Sequence, residues 1–290
     1  MLSIQELVKV YPGPVRALDG VSLELELGMF GLIGPNGAGK TTLMRILAGL
    51  LEPTAGRVLL DGEDVTRHPE RIWPRLGYLP QSYGFFPDLT GEAMLAHLLR
   101  LKGVASPGGV RALCGELLAR VNLSGAAGRK VKHYSGGMKQ RLGIAQALAG
   151  DPDLIIMDEP TAGLDPEERL RFYQLLGDLS RSRVILLSTH LVEDVATLCP
   201  RFAVIREGRA LAVTTPAEAR ARFDGTIYEG SASGADLVDL ARAQRVVQAY
   251  LVEGRHIVRL HVPEGPVPPG FRSVEPSLGD AYLLMMQGAA

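Results

Sequence analysis

The feature that most constrains this chain is the stretch "MFGLIGPNGAGKTT", Met29 to Thr42. "MFGLIG" is a short continuous apolar run that reads as a buried strand, and Leu43, Leu47 and Leu50 follow at helical spacing. Between strand and helix, Gly34, Gly39, Lys40 and Thr41 satisfy the pattern G-x-x-x-x-G-K-[ST]. Glycines there allow a tight loop whose backbone N–H groups surround phosphate oxygens, and the helix behind it adds the positive end of its dipole. Lys40 is placed to reach β- and γ-phosphates, and the Thr41 hydroxyl to ligate Mg²⁺. The candidate nucleotide-binding residues are therefore Gly34, Pro35, Asn36, Gly37, Ala38, Gly39, Lys40, Thr41 and Thr42. A buried strand leading through such a loop into a helix sets the fold class as α/β.

The remaining pattern agrees. "VSLELELG" alternates Leu23, Leu25 and Leu27 against Ser22, Glu24 and Glu26, which predicts a half-buried strand, and "GRVLLDG" predicts another. From about Leu89 to Gly150 the character turns helical: Thr90 caps "TGEAMLAHLLRLKG", which stops at Gly103, and Val110, Leu113, Leu117 and Val121 share a face of the next helix. Strands return with "DLIIMDEP", a buried run that carries Asp158 and Glu159 to the sheet edge where open α/β folds bind ligands. There Asp158 suits holding Mg²⁺, directly or through water, and Glu159 suits a base or anchor for an attacking water. Asp165, Pro166 and Glu168 make a coherent helix start, "RVILLSTH" is a second buried strand, and "FAVIREGRALAV" is a hairpin about Glu207-Gly208. The main pattern ends near Pro216, dividing the chain into residues 1–215 and 216–290. In the second part "ADLVDLARA" reads as helix, "RVVQAYLVEGRHIVRLHV" as a hairpin turning at Gly254, and Ser277 with Asp280 opens a last helix.

Composition narrows the function classes. A formal net charge of -1 over 290 residues leaves no overall basic footprint, which argues against a general nucleic-acid binder. Cys114 and Cys199 stand apart in apolar helical contexts, form no C-x-x-C pair, and read as buried reduced thiols of a cytoplasmic protein. No apolar run approaches the ~18 residues of a transmembrane helix, and "MLSIQELVKVY" lacks a signal peptide's apolar core. Work at a membrane would thus need a partner to supply the span.

A second glycine pair, in "HYSGGMKQR" (His133 to Arg141), lies far from the first loop yet also opens a helix. Taken with the elements around it, this stretch makes the chain resemble, over roughly residues 1–212, the nucleotide-binding subunit of an ATP-binding-cassette (ABC) transporter. "VYPGPVRALDGVSLEL" resembles the adenine-stacking segment with Tyr11 as the stacker, "YLPQ" the Q-loop ending in Gln81, and "YSGGMKQ" the signature. "LIIMDEP" resembles the second nucleotide motif, "AGLD" the D-loop with Asp165, and "LLSTH" the switch strand ending in His190. The resemblance implies a P-loop NTPase ABC ATPase domain: a RecA-like α/β core, an antiparallel β subdomain, an inserted helical subdomain over about residues 85–150, and a small C-terminal α/β appendage.

It implies function in the same way. ATP and Mg²⁺ are the expected ligands, with the metal held by Thr41, Gln81 and Asp158, and with Glu159, His190 and Gln81 as the catalytic set. Ser135, Gly136 and Gly137, at a helix N-terminus, suit the γ-phosphate of a nucleotide bound to a second copy or a homologous ATPase subunit. The usual signature is L-S-G-G-Q, and Tyr134 and Met138 depart from it, so a contact by the fifth-position Gln is not available to Met138. The implied partner is an integral membrane permease, which places the chain on the cytoplasmic face of the membrane as a peripheral subunit. Phe85 and Phe86 in "QSYGFFPDLT" are the candidate docking residues. The tail ending in "VEPSLGDAYLLMM" resembles the extension of type-2 bacterial exporters, which favours export over import. A soluble ABC ATPase acting on ribosomes or DNA is the rival, disfavoured by a single cassette, by the lack of coiled-coil heptads and by the near-neutral charge.

Overall fold

Alternating apolar residues open the chain as β1 (Leu2–Val10) and β2 (Arg16–Leu25), and the apolar run before the glycine loop is β3 (Gly28–Ile33). This computed structural model describes residues 1–290 apart from 14, 83, 105, 234–236, 238, 239, 241, 243, 289 and 290. The loop leads into α1 (Lys40–Leu47), then β4 (Ala55–Leu60), β5 (Glu63–Asp64) and β6 (Leu76–Leu79). Three helices follow: α2 (Gly91–Leu101), α3 (Gly109–Arg120) and α4 (Gly136–Ala147). The α/β alternation resumes as β7 (Leu154–Asp158), α5 (Pro166–Leu179), β8 (Val184–Thr189), α6 (Val192–Leu198), β9 (Arg201–Arg206) and β10 (Arg209–Thr214).

Two sheets result. One is antiparallel in the order β2-β1-β4-β5, and the other runs β10-β9-β3-β8-β7-β6, with β9, β3, β8, β7 and β6 parallel. A single hydrophobic cluster takes Leu2, Leu25 and Val58 from the first sheet, Leu43, Met44 and Leu47 from α1, and Leu32, Ile156 and Leu186 from the second. Each such side chain, withdrawn from water, stabilises the fold by about 1.5–3 kcal/mol, so α1 and the loop before it are anchored to both sheets. Parallel register does the rest. Leu79 lies opposite Met157, Asp158 opposite Ser188, and Ile33 opposite Thr189, so the segments after β3, β6, β7 and β8 leave the sheet at one edge.

Two expectations need correction. Leu27 is not part of a strand: β2 stops at Leu25, and Leu27 is 70% exposed because the chain turns there to reach Gly28 at φ 116°. The buried face of α3 is Cys114, Leu117 and Leu118, continued by Val121, whereas Val110 and Leu113 are half-buried; α3 begins at Gly109 and its first turn lies at the surface. The chain divides within β10, into Met1–Ala210 and Leu211–Ala290, a few residues before Pro216, where the sequence pattern changes and α7 begins.

The second unit carries α7 (Pro216–Ala221), β11 (Ile227–Ala232), β12 (Arg245–Val252), β13 (Arg255–His261), β14 (Arg272–Ser273) and α8 (Leu278–Met286). Its sheet has the order β12-β13-β11-β14 around Val258, Leu260 and Val262. The hairpin turns at Glu253 and Gly254, both with positive φ, and Ser277 and Asp280 cap α8 reciprocally. The helix expected from "ADLVDLARA" lies largely outside the described residues.

Candidate functional site

Gly39 sets the entry to α1. It takes φ 103°, a conformation that side-chain-bearing residues avoid, and a Cβ there would meet the Ala17 carbonyl oxygen at 2.4 Å. Lys40 follows at the first helical position and is buried, with its ammonium folded back to donate to the carbonyls of Gly34 (2.6 Å) and Pro35 (3.0 Å). Burial pushes the Lys40 ammonium down from the ordinary lysine range, and the nearby Glu159 and Asp158 carboxylates offset part of that. Next to it the Thr41 hydroxyl donates to Asp158 Oδ2 at 2.8 Å, while the Ser188 hydroxyl donates to Asp158 Oδ1. Tyr11 lies beside the same helix, its hydroxyl 3.5 Å from Thr42 Oγ1.

The next residue along β7 is held differently. Glu159 has φ 53°, a left-handed conformation costing a non-glycine residue on the order of 1 kcal/mol. Its N–H donates to the Ser188 carbonyl at 3.0 Å. Its carboxylate stands between two groups from neighbouring strand ends: Gln81 Nε2 at 3.3 Å on Oε2 and His190 Nδ1 at 3.1 Å on Oε1. Register brings these three together, since Gln81 follows β6, Glu159 follows β7 and His190 follows β8. Asp158 is buried, whereas Gln81 and His190 are exposed, so this edge offers a fixed acid inside and movable polar groups at its mouth.

Thr41 and Asp158 fit a divalent cation. A hydroxyl and a carboxylate already in mutual contact are the hard oxygen donors Mg²⁺ prefers, and Mg²⁺ is commonly held by one or two carboxylates together with substrate phosphates. Among the described residues no group of three His, Cys, Asp or Glu could hold a metal unaided, so nucleotide oxygens would have to complete the shell.

Several residues around the site were not legible as such. Asp194 in α6 is fully buried and accepts hydroxyl hydrogen bonds from Thr161 (2.7 Å), Thr189 (3.0 Å) and Tyr173. It thereby ties the loop after Glu159, the residue before His190 and α5 to one carboxylate. Gln140 of α4 donates to the carbonyl of Pro160 at 2.8 Å, linking the helical segment to the residue after Glu159. Ser188 and Thr189 are polar residues ending an otherwise apolar strand, and that was the available signal for both.

The second glycine pair lies at the N-terminus of α4. Ser135 is the N-cap, its Oγ accepting from the Met138 N–H at 3.2 Å, and Gly136 and Gly137 form the first turn. Tyr134 is buried and turned away from this turn, donating to the Ala126 carbonyl at 2.8 Å, so its replacement of the usual leucine serves packing of the helical segment. Met138 is half-buried. Asp165 caps α5 through the Glu168 N–H at 2.8 Å, and Gly137 contacts the segment from Gly163 to Glu168.

This arrangement can cradle polyphosphate, hold a metal beside it and orient a water, which is the chemistry of nucleotide hydrolysis. Comparison with known proteins agrees. The ABC transporter family model matches residues 18–162. The Nod factor export ATP-binding protein I of Paraburkholderia xenovorans is 43% identical over 72% of this chain and 69% of its own length. A dimeric bacterial ABC transporter cassette superposes with a TM-score of 0.69 at 27% identity, covering 74% of this chain and 98% of that one. The post-hydrolysis structure of the same cassette, bound to ADP and Pi, gives the same values. The chain belongs to the ABC transporter family, as an ATP-binding subunit with ATPase activity.

Proposed function

We propose that this subunit uses Mg²⁺–ATP to close a head-to-tail dimer and so drives a separate membrane permease, in the direction of export. The observation that carries the catalytic part is the placement of Glu159: strained, one residue beyond the Thr41–Asp158 pair, and held between Gln81 and His190. Lys40 and the loop N–H groups bind the β- and γ-phosphates, and Tyr11 stacks on adenine. Thr41 and Asp158 would hold Mg²⁺, with Gln81 at its edge; the ion would neutralise charge developing on the phosphates. Glu159 takes a proton from the attacking water, and His190 steadies the γ-phosphate. Ser135, Gly136 and Gly137 of the partner subunit, with Asp165 beside them, cover the nucleotide from the far side.

Support for a permease partner comes from the surface beside the Q-loop. No helix among the described residues is long and apolar enough to cross a membrane. A groove of about 800 Å³, lined by Trp73, Tyr78, Phe85, Leu98, Leu101 and Lys102 among others, runs beside the Q-loop. Phe85 lies in this groove and Phe86, 56% exposed, packs edge-on against His97, consistent with a docking surface for a permease helix at the cytoplasmic face. Export is favoured by the Nod factor export relative and by the exporter-like tail.

Glu159→Gln tests the catalytic reading. Turnover should fall by about 10²–10⁴-fold, the usual worth of a general base, while ATP binding persists and an ATP-bound dimer accumulates. Undiminished hydrolysis would remove Glu159 from the role. Purification from native membranes tests the transport reading: an integral membrane protein should accompany the subunit, and recovery mainly with ribosomes or DNA would overturn it.

A further inference from the structure

Arg141 and Glu168 take no part in the chemistry described above, yet they join the two loops that face the partner subunit. Arg141 Nη2 lies 2.6 Å from Glu168 Oε1, with the two side chains only 15% and 20% exposed. Arg141 Nη1 also donates to the Asn122 carbonyl at 2.8 Å, which fixes the guanidinium to the end of α3. Glu168 is three residues after the N-cap Asp165, a position from which a glutamate ordinarily bends back to the cap backbone. Here the backbone N–H of Glu168 serves Asp165 while its carboxylate leaves the helix for Arg141. Gly137 completes the joint. A Cβ on it would meet Glu168 Oε2 at 2.7 Å and the Gly163 carbonyl oxygen at 3.3 Å, so the signature turn lies directly against the Glu168 carboxylate and the Gly163 backbone. A cavity of about 70 Å³ borders Arg141, Glu168, Asn122 and Phe172. The ion pair is one tie across the joint, alongside the Gln140 hydrogen bond to the Pro160 carbonyl.

We propose that Arg141 and Glu168 form a latch that holds Ser135–Gly137 and Asp165 as one rigid surface, positioned to receive the nucleotide bound to the partner subunit. Both are positioning residues; neither belongs to the subunit's own nucleotide site. The proposal rests on the head-to-tail dimer proposed above. Half-buried pairs of this kind lose most when one member is removed, because the other charge is left without its counter-ion. Breaking the latch thus frees the signature turn to move against the Asp165 loop without disturbing the glycine loop around Lys40.

The test uses the full chain carrying Glu159→Gln, so that bound ATP is not consumed. ATP affinity of the monomer is measured with a fluorescent ATP analogue, and ATP-driven dimerisation by sedimentation velocity, for Arg141→Gln, for Glu168→Gln and for the exchange Arg141→Glu with Glu168→Arg. Each single variant should bind nucleotide within about twofold of the parent but dimerise at least about tenfold more weakly, with partial recovery in the exchanged pair. Glu168→Gln keeps the size and the backbone N–H that serves Asp165, so it remains informative if the Arg141 variants fold poorly. Single variants that dimerise like the parent would overturn the latch alone, as would equal loss of monomer nucleotide binding. A parent that stays monomeric in saturating ATP would overturn the dimer reading and the latch with it.

Discussion

Lys102 and Cys199 show how burial sets chemistry at single residues. Lys102 donates to the Ala149 carbonyl at 2.6 Å, and burial pushes its ammonium down from 10.5 to about 8. The folded chain releases this proton first, so between about pH 8 and 10.5 the unfolded chain holds more protons and the contribution of Lys102 to stability rises with pH. An NMR titration of ¹³C-dimethylated lysines should find one midpoint near 8, absent in Lys102→Met; a full set of ordinary lysine midpoints would refute the assignment. Burial acts oppositely on Cys199, raising its thiol to about 12. Iodoacetamide at neutral pH should leave Cys199 unmodified in the native protein and alkylate it after denaturation, as read by mass spectrometry. Rapid native labelling would mean that the cysteine is not enclosed. That both cysteines are buried thiols was legible from their apolar neighbours, whereas the depressed Lys102 was not, since it depends on the Ala149 carbonyl and walls from distant elements.

At the scale of elements, the parts written locally were the parts that could be read. Asp165 and Ser277 cap helices through donors three residues on, and the Glu207-Gly208 and Glu253-Gly254 turns carry their own positive φ. The glycine loop is likewise local. Asp194 is the opposite case: its donors Thr161, Tyr173 and Thr189 come from three separate segments, and no spacing within α6 announces them. Leu27 failed because alternation continues in sequence beyond the residue where the strand turns. Tyr134 shows how a departure in a motif is answered elsewhere. A Cβ on Gly91, at the start of α2, would lie 1.9 Å from the Tyr134 hydroxyl, so glycine at one position makes room for the phenol at the other. Gly91→Ala should therefore destabilise the protein by about 1–3 kcal/mol through overpacking. The same substitution beside Tyr134→Leu should cost much less, giving a coupling energy of about 1 kcal/mol or more in urea denaturation. Additive effects of the two changes would show that the pair does not interlock.

At the scale of the whole molecule, one hydrophobic core anchors the nucleotide loop in Met1–Ala210 and another lies inside Leu211–Ala290. The ligand and the principal buried ion pair of the second unit therefore act on different parts of the chain. In that second unit Asp280 is fully buried, accepts from Gln248 Nε2 at 2.9 Å and from the Ser277 N–H at 2.8 Å, and pairs with Arg259, which also reaches Glu229. Replacing Asp280 by alanine leaves Arg259 without its deepest counter-charge and removes the carboxylate half of the reciprocal cap of α8, a loss of about 3–5 kcal/mol. ATP binds the other unit. At about a hundred times its dissociation constant it stabilises the bound fold by about 2.7 kcal/mol, or roughly 5–10 °C for a unit of that size. Calorimetry of the full chain carrying Glu159→Gln should thus resolve two transitions. ATP with Mg²⁺ should raise one and leave the other in place, whereas Asp280→Ala should lower or abolish the second and leave the ATP-responsive one unmoved. If both perturbations shift a single transition, the units share one cooperative fold, and the appended unit would then be energetically tied to the nucleotide site instead of standing apart from it.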